Sequence, residues 1–136
     1  MATTIPAIRR MRELSVDESL ALLLTRPMGR LVYVVDGDAK VVPLNYMVHR
    51  RSITFRTAYG DLLSEIERRP VLFEVDYSDN ARRAGWSVIV RGIAEEIWRG
   101  DELTIMRELP LQPWAPGNRD RYVRIVASDI TGRMIS

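Results

Sequence analysis

Hydrophobic and polar residues alternate along most of the chain, which is the pattern of β-strands with one buried face. The alternation runs through segments 30–35, 40–48, 52–57, 71–77, 85–97, 121–127 and 130–135. Turn-forming residues separate several of these segments, as Asp36, Gly37 and Asp38 do between the first two. The pattern predicts about six strands, most of them joined by hairpins.

Helical periodicity predicts three helices beside the strands. Ser15 and Glu18 form a capping box in front of a leucine stripe, and this helix ends before Pro27. Two more helices are predicted over 61–68 and 101–109. Residues 1–14 are predicted to be an N-terminal arm and residues 15–136 a single domain. The fold class is mainly β with flanking helices (α+β), and a closed or nearly closed antiparallel barrel is the simplest arrangement, because closure protects strand edges.

The composition excludes several kinds of active site. The chain has 136 residues, of which 46% are hydrophobic and 28% are charged, as in one ordinary globular domain. Cysteine is absent, so there is no disulfide framework, no thiolate metal site and no thiol nucleophile. The single histidine, His49, argues against a histidine-based metal cluster within one chain.

Charge and hydropathy also bear on the partners of the chain. The net charge is +2, and the arginines that dominate it are scattered. Arg9, Arg10 and Arg12 are the nearest thing to a basic tract, and a solvated arm explains them better than nucleic-acid binding does. There is no long apolar run and no apolar signal segment at the N-terminus. We therefore expect no nucleic-acid partner, no membrane contact and a cytoplasmic location.

Segment 52–67 changes from strand periodicity to helical periodicity, and polar residues gather at the junction. Arg56 can offer a planar guanidinium to phosphate oxygens, Thr57 adds a hydroxyl, and Gly60 lets the backbone approach a ligand. The following helix would direct free N–H groups to the same place. The arrangement suits a phosphorylated cofactor. The alternative is that Arg56 is an ordinary solvated surface residue.

Asn45 and Tyr46 lie near the end of the second strand, and Pro43 within that strand indicates an edge or a bulge. An exposed edge could accept a flat heterocycle with an amide-like rim. The alternative is that Asn45 satisfies a turn and Tyr46 packs in the core.

Two tryptophans are candidates for contacts with an aromatic ring. Trp86, beside Ser87, could wall a cofactor or fill the core. Trp114 lies in a proline-rich loop, where a lid or interface contact competes with a core position. Glu74 and Asp76 alternate on one strand and could pair for acid–base chemistry, but a solvated strand face explains them better, because no partner base accompanies them.

Taken together, these segments resemble the pyridoxamine 5′-phosphate oxidase-like, flavin-binding split-barrel proteins, in particular the short bacterial branch that includes nitroimidazole-resistance-type proteins. The motifs that carry the resemblance lie at 29–32, 42–46, 53–57 with Gly60, 73–76, 85–92, 113–117, 124–125 and 130–133. The resemblance implies a six-stranded antiparallel split β-barrel that works as a homodimer, with FMN in two grooves at the dimer interface.

The resemblance also implies roles for particular residues. Asn45 and Tyr46 would run along the flavin ring, and Arg56 and Thr57 would meet the ribityl phosphate beside residues 60–62. The implied cofactor-binding residues are Asn45, Tyr46, Arg56, Thr57, Gly60, Asp61, Leu62, Trp86, Ser87 and Trp114. Of these, Trp86 and Ser87 would come from the partner chain, and Trp114 would cover one end of the site.

The implied activity is that of a flavin-dependent oxidoreductase with an unidentified small-molecule substrate or acceptor. No catalytic acid or base is assigned, because the flavin supplies the hydride chemistry. The pyridoxamine 5′-phosphate oxidase reaction itself is not expected, since the chain is short and lacks the C-terminal arginine and histidine constellation of the true oxidase.

The sequence departs from the family at one position. Members often carry a lysine two residues after the glycine, where this chain has Leu62. Loss of one charge-assisted contact costs about 1.5–3 kcal/mol, or roughly ten- to a hundredfold in affinity. Weak FMN binding, a deazaflavin or another anion, and a non-catalytic flavin or deazaflavin storage protein therefore stay open. Haem is not expected, because His49 lies beside a turn.

Overall fold

A computed structural model describes residues 9–136, which form eight strands and three helices. The strands are β1 (Met11–Leu14), β2 (Met28–Val35), β3 (Asp38–Asn45), β4 (Met47–His49), β5 (Ser52–Thr57), β6 (Pro70–Asp79), β7 (Ala84–Ile97) and β8 (Arg121–Ile135). The helices are α1 (Val16–Leu23), α2 (Asp61–Ile66) and α3 (Gly100–Glu108).

The strands form one antiparallel sheet in the order β3-β2-β6-β7-β8-β5-β4, and β1 pairs with β8. The long strand β8 connects the parts of the sheet. It pairs with β7 along most of its length, with β5 through residues 121–126 and with β1 through residues 132–135. Leu44 of β3 and Phe55 of β5 share one core although their strands lie near opposite ends of this order, so the sheet curls around that core. The predicted split-barrel class is confirmed.

The core is built from the inward-facing residues of the alternating strands. The Phe73 ring stacks on Phe55 with centroids 6.5 Å apart and meets Tyr46 edge-on at 5.1 Å. Val88 and Ile125 are fully buried beside them. Burial of each large apolar side chain stabilises the fold by about 1.5–3 kcal/mol before the entropy cost is counted.

Helix α1 begins as the sequence predicts. The Glu18 amide donates to the Ser15 hydroxyl at 3.1 Å, and the Ser15 amide donates to the Glu18 carboxylate at 3.0 Å, which completes the capping box. At the other end of the helix, Leu23 enters the barrel core.

Helix α3 covers the outer side of β5. The Thr54 hydroxyl donates to the Met106 sulfur at 3.9 Å, and both side chains are buried. Ile53 and Phe55 enter the core from the other face of the strand. Strand β5 is therefore covered on both faces, which makes it a rigid base for the residues at its end.

The structure differs from the predicted elements in four places. Residues 9–136 form eight strands, so the predicted number of about six is too low. Met11–Leu14, within the predicted arm, pairs with β8 as β1, whereas residues 1–8 of that arm lie outside the described residues. The predicted strand 40–48 is interrupted at Tyr46, and the segments 121–127 and 130–135 are one continuous strand. No helix in residues 9–136 is long and apolar enough to cross a membrane.

Candidate functional site

Arg56 is held in place by a distant loop. Its Nε donates to the carbonyl of Arg119 at 2.9 Å and its Nη1 to the carbonyl of Leu111 at 2.9 Å. The guanidinium carbon also lies 5.2 Å from the centre of the Tyr122 ring. Arg56 is half-buried, so it is not a freely solvated surface residue. It fastens the segment between α3 and β8 to the end of β5, and among residues 9–136 no acceptor bonds its Nη2.

The neighbouring residues of the predicted phosphate site have different environments. Thr57 is buried and pairs with Arg121 across the sheet. Gly60 caps α2, where a Cβ would meet open space, and Asp61 is exposed in the first turn. Leu62 is partly buried and packs against the core. Leu62 therefore has an apolar environment at the position where the family resemblance implies a lysine.

The N-terminus of α2 is a weaker anion site than the sequence pattern indicates. The helix has only six residues, so few peptide dipoles align in it. The Asp61 carboxylate adds a negative charge to its first turn. The positive potential near the N-terminus of α2 therefore comes from the arginines rather than from the helix.

Asn45 latches the Trp114 loop to the barrel. Its Oδ1 accepts the backbone N–H of Trp114 at 2.8 Å, and its Nδ2 donates to the carbonyl of Pro27 at 3.1 Å. Both ends of the side-chain amide are thereby engaged. The Trp114 ring is 66% exposed, which excludes the core alternative and leaves the ring available as a lid or an interface contact.

Tyr46 is buried in the core. Its hydroxyl donates to the carbonyl of Leu23 at 2.5 Å, and its ring packs on Phe73. Burial raises the pKa of this phenol well above its usual range. Only the backbone of Tyr46 is therefore available for the predicted position along a flavin ring, since its side chain packs in the core.

Trp86 and Ser87 lie in a different part of the surface. Both are half-buried and line a groove of about 480 Å³ that also includes Tyr77 and Arg133. Ser87 and Arg133 continue into a second groove of about 590 Å³ over β1, β7 and β8. Neither Arg56 nor Trp114 lines these grooves. One chain thus carries the predicted site residues as two separate groups.

A pair of carboxylates lies beside the second group. Arg30 Nη1 contacts Glu74 Oε1 and Asp76 Oδ2, each at 2.9 Å, and Asp76 pairs with Ser87 across the sheet. Burial, together with the hydrogen bond and the charge of Asp76, raises the pKa of Glu74 to about 7. The interpretation of this pair as a plain solvated strand face is therefore incomplete, because Glu74 can bind and release a proton near neutral pH.

Sequence reasoning missed Arg119. Its carbonyl accepts from Arg56, and its own Nε is buried without a hydrogen-bond partner. In the described part of the chain only one other side-chain atom, the Ser19 hydroxyl, is buried and unpartnered. The available signal was the arginine run Arg119, Arg121 and Arg124 after the proline-rich loop.

Comparison with known proteins places this architecture in a family. The family model described as pyridoxamine 5′-phosphate oxidase matches residues 15–134. The chain is 31% identical to an uncharacterised protein of Mycobacterium tuberculosis over 91% of this chain and 85% of that protein. It is similar to the structure of the FAD binding protein from Mycobacterium smegmatis, with 33% identity, a TM-score of 0.73, and coverage of 92% of this chain and 98% of that one.

A third similar protein is a FAD-binding protein from Mesorhizobium loti, with 25% identity, a TM-score of 0.78, and coverage of 94% of this chain and 98% of that one. Together with the curled antiparallel sheet, these matches show the class of protein. The chain belongs to the pyridoxamine 5′-phosphate oxidase-like split-barrel family.

Proposed function

We propose that this protein binds a flavin nucleotide as a homodimer and transfers electrons through it. The observation that carries the proposal is the fixed guanidinium of Arg56 at the end of β5, in a chain whose family includes flavin-binding relatives. The residues present suit such a cofactor, because Arg56 keeps donor capacity beyond its two carbonyl partners.

The phosphate nearest the flavin ring is common to FMN and FAD, and the proposal uses that shared chemistry. FMN is the form that the family resemblance implies. Two relatives with 33% and 25% identity are described as FAD-binding, which supports FAD as the second candidate. We therefore propose a flavin nucleotide whose phosphate meets Arg56, and competition between FMN and FAD identifies the form.

The chain's own residues would bind and orient the cofactor. Arg56 would hold the phosphate, and the Asn45 latch would keep the Trp114 ring over the site. The bound flavin would supply the hydride chemistry with a small-molecule acceptor, so the protein contributes binding, orientation and electrostatics.

The separation of the two residue groups supports the homodimer. On one chain, Trp86 and Ser87 lie in a groove that neither Arg56 nor Trp114 lines. A site made from both groups is complete only when a second copy brings its Trp86 next to the first copy's Arg56. Exposed apolar residues on the outer sheet face, such as Val34, Val41 and Ile93, would lose water in such an assembly.

The absorbance spectrum of the freshly purified protein tests the cofactor class, because flavin, deazaflavin and haem absorb differently. The proposal predicts a flavin spectrum, or an apoprotein that gains one on addition of FMN or FAD. A deazaflavin or haem spectrum that neither flavin displaces would contradict it.

A non-catalytic flavin storage protein is the second candidate. The packing of Leu62 against the core favours it, because an apolar side chain stands where the family resemblance implies a lysine. The two functions differ in turnover. The bound flavin is reduced chemically, and its reoxidation by an added quinone or nitroaromatic acceptor is compared with that of free flavin. Faster reoxidation of the bound flavin supports the oxidoreductase. Slower reoxidation supports storage.

A further inference from the structure

A pocket of about 380 Å³ lies beside the start of β5, at the opposite end of that strand from Arg56. Its walls come from the turn between β4 and β5, from helix α3 and from strand β8. The volume is within the range of small-molecule sites in proteins. None of the residues predicted to bind the flavin lines this pocket, so it is a separate place on the molecule.

Part of the pocket wall is apolar. Met106 of α3 is buried, whereas Ile105 of α3 and Val126 of β8 are 44% and 47% exposed. Apolar side chains that face water are stabilised when an apolar group covers them. The wall between α3 and β8 therefore favours a ligand with an apolar body.

The rest of the lining carries positive charge. Arg124 contacts the carboxylates of Glu95 and Glu102, which neutralise it. By contrast, neither Arg50 nor Arg51 forms an ion pair with any residue in 9–136. The arginine guanidinium matches the geometry of a carboxylate. Because Glu102 also lines the pocket, it repels a dianion such as phosphate more strongly than a monoanion.

The turn between β4 and β5 has an unusual sequence for its backbone. His49 pairs with Ser52, so the turn consists of Arg50 and Arg51 alone. Their φ values of 49° and 63° are both in the left-handed region. A two-residue turn of this kind favours asparagine followed by glycine, and arginine is strained there. Backbone stability therefore does not explain the two arginines, and strain of this kind is concentrated at functional positions.

We propose that this pocket binds a small molecule with an apolar body and a single carboxylate, the carboxylate at Arg50 and Arg51 and the body against Ile105 and Val126. The apolar wall and the two charges without a carboxylate partner together define this class of ligand. The site is independent of the proposed flavin binding, since it shares no residue with it.

The first test compares three probes on the wild-type protein by NMR. Naphthoate carries both features, naphthalenemethanol has the same rings without the charge, and acetate has the charge without the rings. We expect saturable shifts of the backbone amide signals of residues 49–52, 102–106 and 124–127 with naphthoate. The other two probes should bind about tenfold more weakly or worse.

The second test removes the charges without weakening the turn. Arg50→Asn/Arg51→Gly supplies the residue pair that the turn favours, so the variant should melt at or above the temperature of the wild type. We expect its naphthoate affinity to fall about tenfold or more. Arg68→Asn/Arg69→Gln is the control, because it removes two exposed charges between α2 and β6, and asparagine suits the φ of 59° at Arg68. The control should bind naphthoate like the wild type.

Three results would overturn the proposal. Naphthoate and naphthalenemethanol bind the wild type equally, or naphthoate gives no saturable shifts at the pocket residues. Arg50→Asn/Arg51→Gly keeps the wild-type affinity for naphthoate. The control variant loses as much affinity as Arg50→Asn/Arg51→Gly does, which would mean that naphthoate responds only to net charge.

Failure of the proposed flavin function gives a different result. Arg50 and Arg51 lie at the other end of β5 from Arg56, so both variants should bind FMN like the wild type. A wild-type protein that binds naphthoate at the pocket residues but no flavin would support this site and contradict only the proposed flavin binding.

Discussion

The hydrogen-bond partners of single residues decide which of the predicted site residues are available to a ligand. Asn45 and Arg56 use their side chains to hold the loop before β8, and Tyr46 uses its hydroxyl to hold α1. Trp114 keeps most of its ring exposed. Binding energy at this site should therefore come from residues that also maintain the local structure, so that substitutions there affect stability as well as affinity.

Tyr46→Phe tests the structural role of the phenol. The variant keeps the ring contact with Phe73 but leaves the buried carbonyl of Leu23 without its donor. We expect a loss of about 1–2 kcal/mol in the free energy of unfolding, measured by denaturant titration. Tyr59→Phe is the control, because the Tyr59 side chain is 80% exposed and should tolerate the change. Equal stability of wild type and Tyr46→Phe would show that the hydroxyl is not needed.

Glu74→Gln tests the carboxylate pair through pH. The folded-state pKa of Glu74 is about 7, above its ordinary value of 4.5, because burial and Asp76 disfavour the charged form. The resulting stabilisation is fully present below about pH 4.5 and is lost as the pH rises through about 7. We expect the free energy of unfolding to fall less steeply over this range in Glu74→Gln than in wild type. Identical slopes in the two proteins would show that Glu74 does not titrate there.

The sequence predicts residue chemistry better than it predicts residue partners. Arg56 stands out because a strand pattern ends beside it. The carbonyls that fix it belong to residues 111 and 119, and no local pattern reports a contact across 55 or 63 positions. Arg119 was missed for the same reason, since the contact of its carbonyl with Arg56 spans 63 positions.

Individual strands and turns, by contrast, follow from local patterns. The first hairpin turns at Asp36 and Gly37 with φ of 51° and 77°, as a two-residue turn of this kind requires. Strand β8 could not be predicted as one element, because Ser128 and Asp129 look like a turn. In the folded chain, a register shift beside Gly92 lets β7 pair with both halves of β8.

Gly92→Ala tests this register shift. A Cβ on Gly92 would lie 2.0 Å from the backbone carbonyl oxygen of Val126, which cannot move away without disturbing the pairing of β7 with β8. We expect a loss of about 1–3 kcal/mol in the free energy of unfolding. Gly100→Ala is the matched control, since its Cβ meets nothing within 4 Å and alanine favours the helix. Equal effects of the two substitutions would contradict the steric account.

Asn45→Ala tests the latch on the Trp114 loop. Without the Asn45 side chain, the Trp114 amide loses its acceptor, so its hydrogen exchange should become about tenfold faster. Hydrogen exchange measured by NMR checks this, with Asn80→Ala as the control because Asn80 lies in the exposed turn between β6 and β7. An unchanged exchange rate at Trp114 in Asn45→Ala would show that other contacts hold the loop.

At the scale of the whole molecule, the split barrel carries two groups of candidate residues that one chain does not join. The Arg56 group lies at the end of β5, and the Trp86 group lines the groove over β6 and β7. Family membership follows from the fold and from the match over residues 15–134. Flavin binding by two copies of the chain is the proposal that makes use of both groups.

Titration of the apoprotein with FMN and with FAD tests this claim most directly. Flavin fluorescence reports binding, and sedimentation of the same samples reports the assembly. The account predicts a saturable change at tens of micromolar or below for at least one flavin, with one flavin per chain in a dimer. The absence of a saturable change with both flavins, or saturation of a monomer, would contradict it.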